Sequence, residues 1–227
     1  MKKFLTHIIL CVFFAISGRA ETIMMVGDSH VAGKTYPRTV ESLLTDHVKD
    51  CHFTFFGING ASFPTFCKPE NLDTIFSIRP DILIVHLGTN DCYARKFNPD
   101  VFRQNMTRFY NAVHDSLPEV KMVFVTPFFN KHKHTIRSKN KKRRTVWELN
   151  NNNATCADEI VKFHEKHPED TRVINHNAAH GMDFLNNGLI NARDNVHLTV
   201  PGYVMLGTQV AEEFLTLPDL FSSQAEK

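Results

Sequence analysis

The stretch Asp81–Leu87, which reads DILIVHL, decides the fold of this chain. It is almost entirely apolar and lacks the polar spacing of a surface helix. Such a run is typical of a strand buried on both faces of a sheet. Gly88-Thr89-Asn90-Asp91 follows directly. The chain is therefore expected to leave the sheet at a glycine and to present polar side chains immediately afterwards.

Outward from this strand, short apolar runs alternate with segments of helical spacing. Four more strands are predicted, at Thr22–Val26, His52–Phe56, Lys121–Thr126 and Thr171–Asn175. Helices are predicted over Thr39–Val48, from Asn98-Pro99-Asp100 to about Ser116, over Val146–His167, and from a cap at Thr199 to about Phe214. The alternation predicts an α/β fold with a five-stranded parallel sheet covered by helices on both faces. Ligands of such sheets bind at the carboxyl ends of the strands.

Four polar loops fall at these carboxyl ends or at the entry to the last helix. Gly27-Asp28-Ser29 follows the first strand, Gly57-Ile58-Asn59-Gly60 the second and Gly88–Asp91 the third, while Asp194-Asn195-Val196-His197 precedes the final helix. Each of them alone is an ordinary turn sequence. Their joint placement at one edge of the sheet favours a functional site.

The residue types in these loops are those of nucleophilic catalysis. A serine in a tight turn at the end of a strand is well placed to act as a nucleophile. The spacing of three puts Asp194 and His197 on one side of a turn, so the carboxylate can hold Nδ1–H and leave Nε2 free to take a proton from Ser29. The glycines of the loop Gly57–Gly60 can present a backbone N–H to a developing negative charge, and the Asn90 side chain can donate to it as well.

The four motifs together resemble those of the SGNH (GDSL-type) hydrolases, in the same order and over almost all of residues 21–227. The resemblance implies a three-layer α/β/α sandwich of the flavodoxin-like kind. It implies Ser29 as nucleophile, His197 as general base and Asp194 as its orienting partner. It also implies an oxyanion hole made by the backbone N–H groups of Ser29 and Gly60 and the Asn90 side chain. No metal or organic cofactor is required by such an enzyme.

Two positions depart from the family pattern. His30 stands where an apolar residue usually follows the serine, and Leu198 stands where proline often follows the histidine. His30 either braces its loop or lines the site, where it would compete with His197 for the serine.

The segment Met1–Ala20 has the three parts of an export signal. Two lysines precede the apolar run Ile8–Ile16, and the small residues Gly18 and Ala20 come before the expected cleavage point. The run is shorter than the roughly 20 residues of a membrane-spanning helix. We therefore expect residues 1–20 to be cleaved, which leaves residues 21–227 as one exported domain, periplasmic or secreted.

The net charge gives no sign of a nucleic-acid partner, and none is expected. The 227 residues include 26 Lys and Arg and 24 Asp and Glu. Cleavage after Ala20 takes the basic count from 26 to 23 against 24 acidic residues, a net charge of −1. No later segment is apolar enough to be expected to cross a membrane. The oligomeric state is left open by the sequence.

Four cysteines follow the signal segment, at Cys51, Cys67, Cys92 and Cys156. None has the close CxxC spacing of a zinc site. In an oxidising compartment they allow three disulfide connectivities. Cys67 and Cys92 belong to loops that are expected to be neighbours, which favours a bridge between them.

The basic segment Lys131–Arg144, KHKHTIRSKNKKRR, follows the fourth strand near the predicted site. It is either a solvated loop or a lid that attracts an anionic substrate. The first expectation for the substrate is a small-molecule or glycan ester, namely an O-acetyl group on a carbohydrate or cell-wall glycan. The alternatives are a lysophospholipase or thioesterase that acts on lipid acyl esters, an O-acetyltransferase that uses the same acyl-enzyme, and a non-catalytic binding module.

Overall fold

The computed structural model describes residues 20–93, 97–130, 146–217 and 219–221. The expected export signal, apart from Ala20, and the basic segment 131–144 lie outside the described residues. The strands are β1 (Thr22–Gly27), β2 (His52–Gly57), β3 (Ile82–His86), β4 (Lys121–Val125) and β5 (Thr171–Ile174). The helices are α1 (Ser29–Ala32), α2 (Thr35–His47), α3 (Phe63–Phe66), α4 (Pro69–Ile78), α5 (Thr89–Cys92), α6 (Pro99–Ser116), α7 (Val146–His164), α8 (His176–His180), α9 (Asp183–Asn186) and α10 (Val200–Thr216).

The five strands form one parallel sheet in the order β2-β1-β3-β4-β5. Gly27, the last residue of β1, is in register with Gly57 on one side and His86 on the other. All three residues end their strands, so the loops that follow leave the sheet side by side. The predicted fold class is confirmed, and three of the four predicted motifs share one edge.

Each face of the sheet has its own core because side chains alternate along the strands. On one face, Met24 belongs to a cluster with Phe109 of α6. On the other, Met25 belongs to a cluster with Leu206 of α10. Helices therefore cover both faces, which gives the predicted three layers. Within the described ranges, no helix combines the length and apolar character that crossing a bilayer requires.

The predicted strands and long helices are confirmed, with small changes at their ends. The first long helix begins at Thr35 rather than Thr39, and α7 ends at His164 rather than His167. The predicted cap at Thr199 is present, since its side chain accepts a hydrogen bond from the backbone N–H of Gly202 at 3.3 Å.

One regular helix, α4, is not anticipated by the sequence analysis. Of its ten residues only Ile75 is buried, so the apolar stripe is too narrow to show a helical period. Pro69 and Glu70 in the first turn are the signals that mark its start.

Candidate active site

Ser29 lies at the start of α1, where the chain turns out of the sheet after β1. The side chain of Asp28 caps this helix by accepting a hydrogen bond from the backbone N–H of His30 at 2.9 Å. The turn passes very close to β2: a Cβ on Gly57 would lie 2.1 Å from the backbone N of Ala32. The glycine that ends β2 therefore makes room for the helix that carries the serine.

Asp194 organises the loop that precedes α10. Its Oδ1 accepts hydrogen bonds from the backbone N–H groups of Val196 and His197, both at 2.9 Å. Asn195 has a left-handed backbone with φ of +61°, a conformation that asparagine adopts more readily than most residues. Leu198, which stands where the family often has proline, is buried and belongs to the same core cluster as Leu206 of α10. The departure from proline therefore adds an apolar side chain to the core.

His197 connects this loop to Ser29. Its Nδ1 lies 2.9 Å from Oδ2 of Asp194, and its Nε2 lies 2.8 Å from Oγ of Ser29. Partial burial opposes ionisation of Asp194, but hydrogen bonds from Val196 and from the backbone and ring of His197 lower the pKa of the carboxyl below its usual value. The structure thus brings together the three side chains to which the sequence assigns catalytic roles. Those roles remain predictions.

Gly60 lies in a tight turn after β2. The backbone N–H of Ala61 donates to the carbonyl of Ile58 at 3.0 Å, and Gly60 occupies the third position of the turn with φ of +72°. A type II turn requires this conformation, which glycine adopts without strain. The N–H of Gly60 has no acceptor among the described residues. It is therefore free to donate to a ligand.

Asn90 connects the loops that follow β1, β2 and β3. Its Nδ2 donates to Oδ2 of Asp28 at 3.1 Å and to the carbonyl of Ala61 at 2.9 Å. Both amide hydrogens are therefore already directed to acceptors. To act as an oxyanion donor, Asn90 would have to share one of these hydrogens between its present acceptor and the oxyanion, or give up one of the two contacts for the oxyanion. The role of Asp28 as the partner of Asn90 is not predicted from the sequence, although its position next to Ser29 is the one feature that could have indicated it.

The carboxyl of Asp28 is fully enclosed. Burial raises its pKa to about 7, against the opposing effect of the hydrogen bonds from His30 and Asn90 and with a further increase from the nearby Asp91. Burial also raises the pKa of Asp91, to about 6. The hydrogen bonds of the Asp28 carboxyl run to the backbone of His30 and to the Asn90 side chain, so this carboxyl is separate from the hydrogen-bonded series Ser29–His197–Asp194.

His30 is buried beneath His197 and does not bond to the serine in this structure. Its Nδ1 lies 3.1 Å from the hydroxyl of Tyr203 on α10, and its ring centroid lies 5.4 Å from that of His197. Burial, followed by the proximity of His197, lowers the pKa of His30 to about 3. The ring is therefore neutral. Of the two roles left open by the sequence, the contacts fit that of a bracing residue.

The cysteines are not arranged as the sequence analysis favours. Sγ of Cys92 lies 2.9 Å from Sγ of Cys156 on α7, and among the described residues no bond joins the sulfurs of Cys92 and Cys67. The prediction of a Cys67–Cys92 bridge is wrong in this structure, because the sulfur of Cys92 lies against Cys156 on α7 instead.

A run of four asparagines on α7 also takes part in the architecture of this edge. Oδ1 of Asn150 accepts the backbone N–H of Asn130, at 3.2 Å. Asn152 donates to the end of α5, and Asn153 donates to the loop after β4. A polar run in the middle of a helix that must pack on a sheet is the sequence signal for such contacts.

No cluster suited to a metal is found in the described part of the chain. There, no group of three or more His, Cys, Asp or Glu side chains is arranged to hold an ion. The chemistry available at this edge is that of a hydroxyl, an imidazole, a carboxylate and N–H donors.

The model of the GDSL-like lipase/acylhydrolase family matches residues 25–205. A search of curated proteins gave no significant match.

Several solved structures share the fold. An acetylxylan esterase from Geobacillus stearothermophilus superposes with a TM-score of 0.65 and 16% identity, over 86% of this chain and 94% of the other. A peptidoglycan O-acetylesterase gives a TM-score of 0.66 and 13% identity, over 88% and 91% of the two chains. A member of the lipolytic G-D-S-L family from Veillonella parvula gives 0.61 and 15%, over 87% and 100%. At these identities the likeness establishes the fold.

Proposed function

The chain belongs to the GDSL-like lipase/acylhydrolase family, and from this premise we propose that it is an exported serine esterase that removes O-acetyl groups from a glycan. One observation carries the proposal of catalysis. Oγ of Ser29 lies 2.8 Å from Nε2 of His197, whose Nδ1 lies 2.9 Å from Asp194. A nucleophile, a base and an orienting group at these distances are the parts that acyl transfer requires.

The first step forms an acyl-enzyme. The hydroxyl of Ser29 attacks the ester carbonyl carbon while Nε2 of His197 takes its proton. The Asp194 carboxylate stabilises the imidazolium through Nδ1–H. Collapse of the tetrahedral intermediate transfers the acyl group to Ser29, and His197 returns the proton to the leaving alcohol.

The second step regenerates the serine. A water molecule gives a proton to Nε2 of His197 and attacks the acyl carbonyl carbon, and the acid is released as Ser29 recovers its proton. The neutral ring of His30, 5.4 Å from that of His197, adds no positive charge that would oppose formation of the imidazolium.

The proposed oxyanion hole of both steps consists of three N–H donors. The backbone N–H of Ser29 is at the first position of α1, where no intrahelical acceptor exists. Gly60 contributes a backbone N–H held by its turn. Asn90 contributes a side-chain N–H that turns from an existing acceptor towards the oxyanion as negative charge develops.

An O-acetyl group on a glycan is the proposed substrate class. Among the structures that share the fold are an acetylxylan esterase and a peptidoglycan O-acetylesterase, which act on acetylated glycans by their names. Export, which residues 1–20 support by their charge and apolar run, would bring the enzyme to such glycans.

The test is an ester chain-length series with Ser29→Ala and a matched control. The wild-type protein is assayed on p-nitrophenyl esters from acetate to octanoate and on acetylated xylan and O-acetylated peptidoglycan. Ser62→Ala, which removes a hydroxyl from the neighbouring loop, serves as the control. We expect a preference for acetate, release of acetate from a glycan, near-complete loss in Ser29→Ala and retention in Ser62→Ala. Preference for octanoate would instead indicate a lipid ester, and undiminished turnover by Ser29→Ala would refute the mechanism.

A further inference from the structure

Two buried cysteines lie in contact behind the candidate active site. Cys92 is the last residue of α5 and Cys156 lies in the middle of α7. Their Sγ atoms are 2.9 Å apart, and both side chains are fully buried. Cys51 and Cys67 are partly exposed, and neither has a sulfur contact of this kind among the described residues.

Neighbouring polar contacts hold the two thiols together. Nδ2 of Asn152 donates to the backbone carbonyl of Cys92 at 3.1 Å. Asn153 donates through Nδ2 to the carbonyl of Phe128 at 2.9 Å. Cys156 follows Asn152 by four residues and so lies on the same face of α7. The approach of the sulfurs is thus fixed by the docking of a whole helix rather than by one flexible side chain.

We propose that Cys92 and Cys156 form a disulfide that links the short helix bearing Asn90 to α7. Its formation in the cell rests on the proposed export, because disulfides persist in oxidising compartments. The bridge would fix α5 from behind and leave Cys51 and Cys67 as thiols. It would join positions 64 residues apart in the chain.

Formation of the bond follows ordinary thiol–disulfide exchange. One cysteine thiolate attacks the disulfide of an oxidant, either glutathione disulfide or a dithiol–disulfide oxidoreductase, and releases one oxidant thiolate. The second cysteine thiolate attacks the protein sulfur of the mixed disulfide and releases the other. The protein loses two protons and two electrons, and the oxidant gains them. Burial raises the pKa of the Cys92 thiol well above its usual value, which favours exchange before the thiol is enclosed.

Peptide mapping after refolding tests the pairing directly. The full-length protein is denatured and reduced, refolded in a glutathione and glutathione disulfide buffer, blocked with N-ethylmaleimide and digested without reductant. We expect the peptide with Cys92 to be linked to the peptide with Cys156, and the peptides with Cys51 and Cys67 to be alkylated. Alkylation of both Cys92 and Cys156, or a link from Cys92 to Cys67, would overturn the inference.

Two matched variants add a second readout. In Cys67→Ala the bond remains, and reduction is expected to lower the Tm by about 10 °C, as for a disulfide that closes a long loop. In Cys156→Ala reduction is expected to leave the Tm unchanged. An equal fall of Tm on reduction in both variants would contradict the Cys92–Cys156 pairing. If Cys156→Ala does not fold, the peptide map of the wild-type protein decides between the outcomes.

The same map made on protein isolated from whole cells separates pairing from export. A Cys92–Cys156 link in that protein supports both the pairing and export. Free thiols at both positions in cells, with the linked pair formed on refolding, would contradict export while supporting the pairing. Absence of esterase activity in the refolded protein that carries the Cys92–Cys156 link would contradict the proposed function and leave the pairing supported.

Discussion

Replacing His30 with glutamine should weaken the dependence of stability on pH. His30 is buried beside His197 and bonds to Tyr203, and burial lowers its pKa from 6.5 to about 3. In the unfolded chain the ring takes a proton as the pH falls below about 6.5, while the folded protein keeps it neutral. The unfolded state then binds more protons, so this group makes the folded state less stable as the pH falls.

The magnitude follows from the two pKa values. At pH 5 the unfolded ring is about 1.5 pH units below its pKa, and the folded ring remains neutral, so His30 costs about 2 kcal/mol of unfolding free energy relative to pH 8. The cost would continue to grow until the pH approaches the folded pKa of about 3. Glutamine keeps polar atoms near the Tyr203 hydroxyl but cannot take the proton.

The assay is urea denaturation of wild type and His30→Gln at pH 8 and pH 5. The loss of unfolding free energy between these pH values should be about 2 kcal/mol larger in the wild type. Contributions from His86, His176 and Asp28 are common to both proteins and cancel. Tyr203→Phe is the control, because it removes the hydroxyl contact but keeps the titrating ring, and it should behave like the wild type. Equal pH dependence in wild type and His30→Gln would refute the buried, neutral assignment.

Further substitutions test other parts of the site. Asn90→Ala should lower kcat about 10²–10³-fold while traces of activity remain, because one oxyanion donor is lost; an unchanged kcat in steady-state assays would exclude that role. Between pH 5 and pH 8 the unfolding free energy of the wild type should fall by about 3 kcal/mol relative to that of Asp28→Asn, because the pKa of Asp28 in the folded protein is about 7 and its ionisation there is unfavourable. A difference between the two proteins that does not change with pH in urea melts would contradict this. Gly57→Ala should destabilise the protein by about 3 kcal/mol and reduce turnover, because its Cβ would lie 2.1 Å from the Ala32 backbone N; a wild-type melting curve would show that the loop yields freely.

The strands and the polar loops at their ends were accessible from the sequence because both depend on local pattern. DILIVHL is apolar throughout apart from its polar Asp81 and His86, and the parallel order of the sheet follows from its alternation with helices. The pair Asp194 and His197 is local as well: its spacing lies within one turn, and the structure closes that turn through Oδ1 of Asp194.

What the sequence could not supply are contacts between distant elements. The bond from Asn90 to Asp28 joins residues 62 positions apart, and the contact of Cys92 with Cys156 depends on how α7 docks. The environment of His30 depends on Tyr203 from the far end of the chain. Such packing is set by the tertiary arrangement, which neither periodicity nor a four-residue motif encodes.

The most direct test of the central claim is the site of covalent labelling by a fluorophosphonate, mapped by peptide mass spectrometry in wild type, His197→Ala and Ser62→Ala. If Ser29 is the nucleophile and His197 its base, a single phosphonyl adduct is expected on Ser29, formed as fast in Ser62→Ala as in the wild type and far more slowly in His197→Ala. An adduct on another residue, or labelling of Ser29 that proceeds at the same rate without His197, would contradict it.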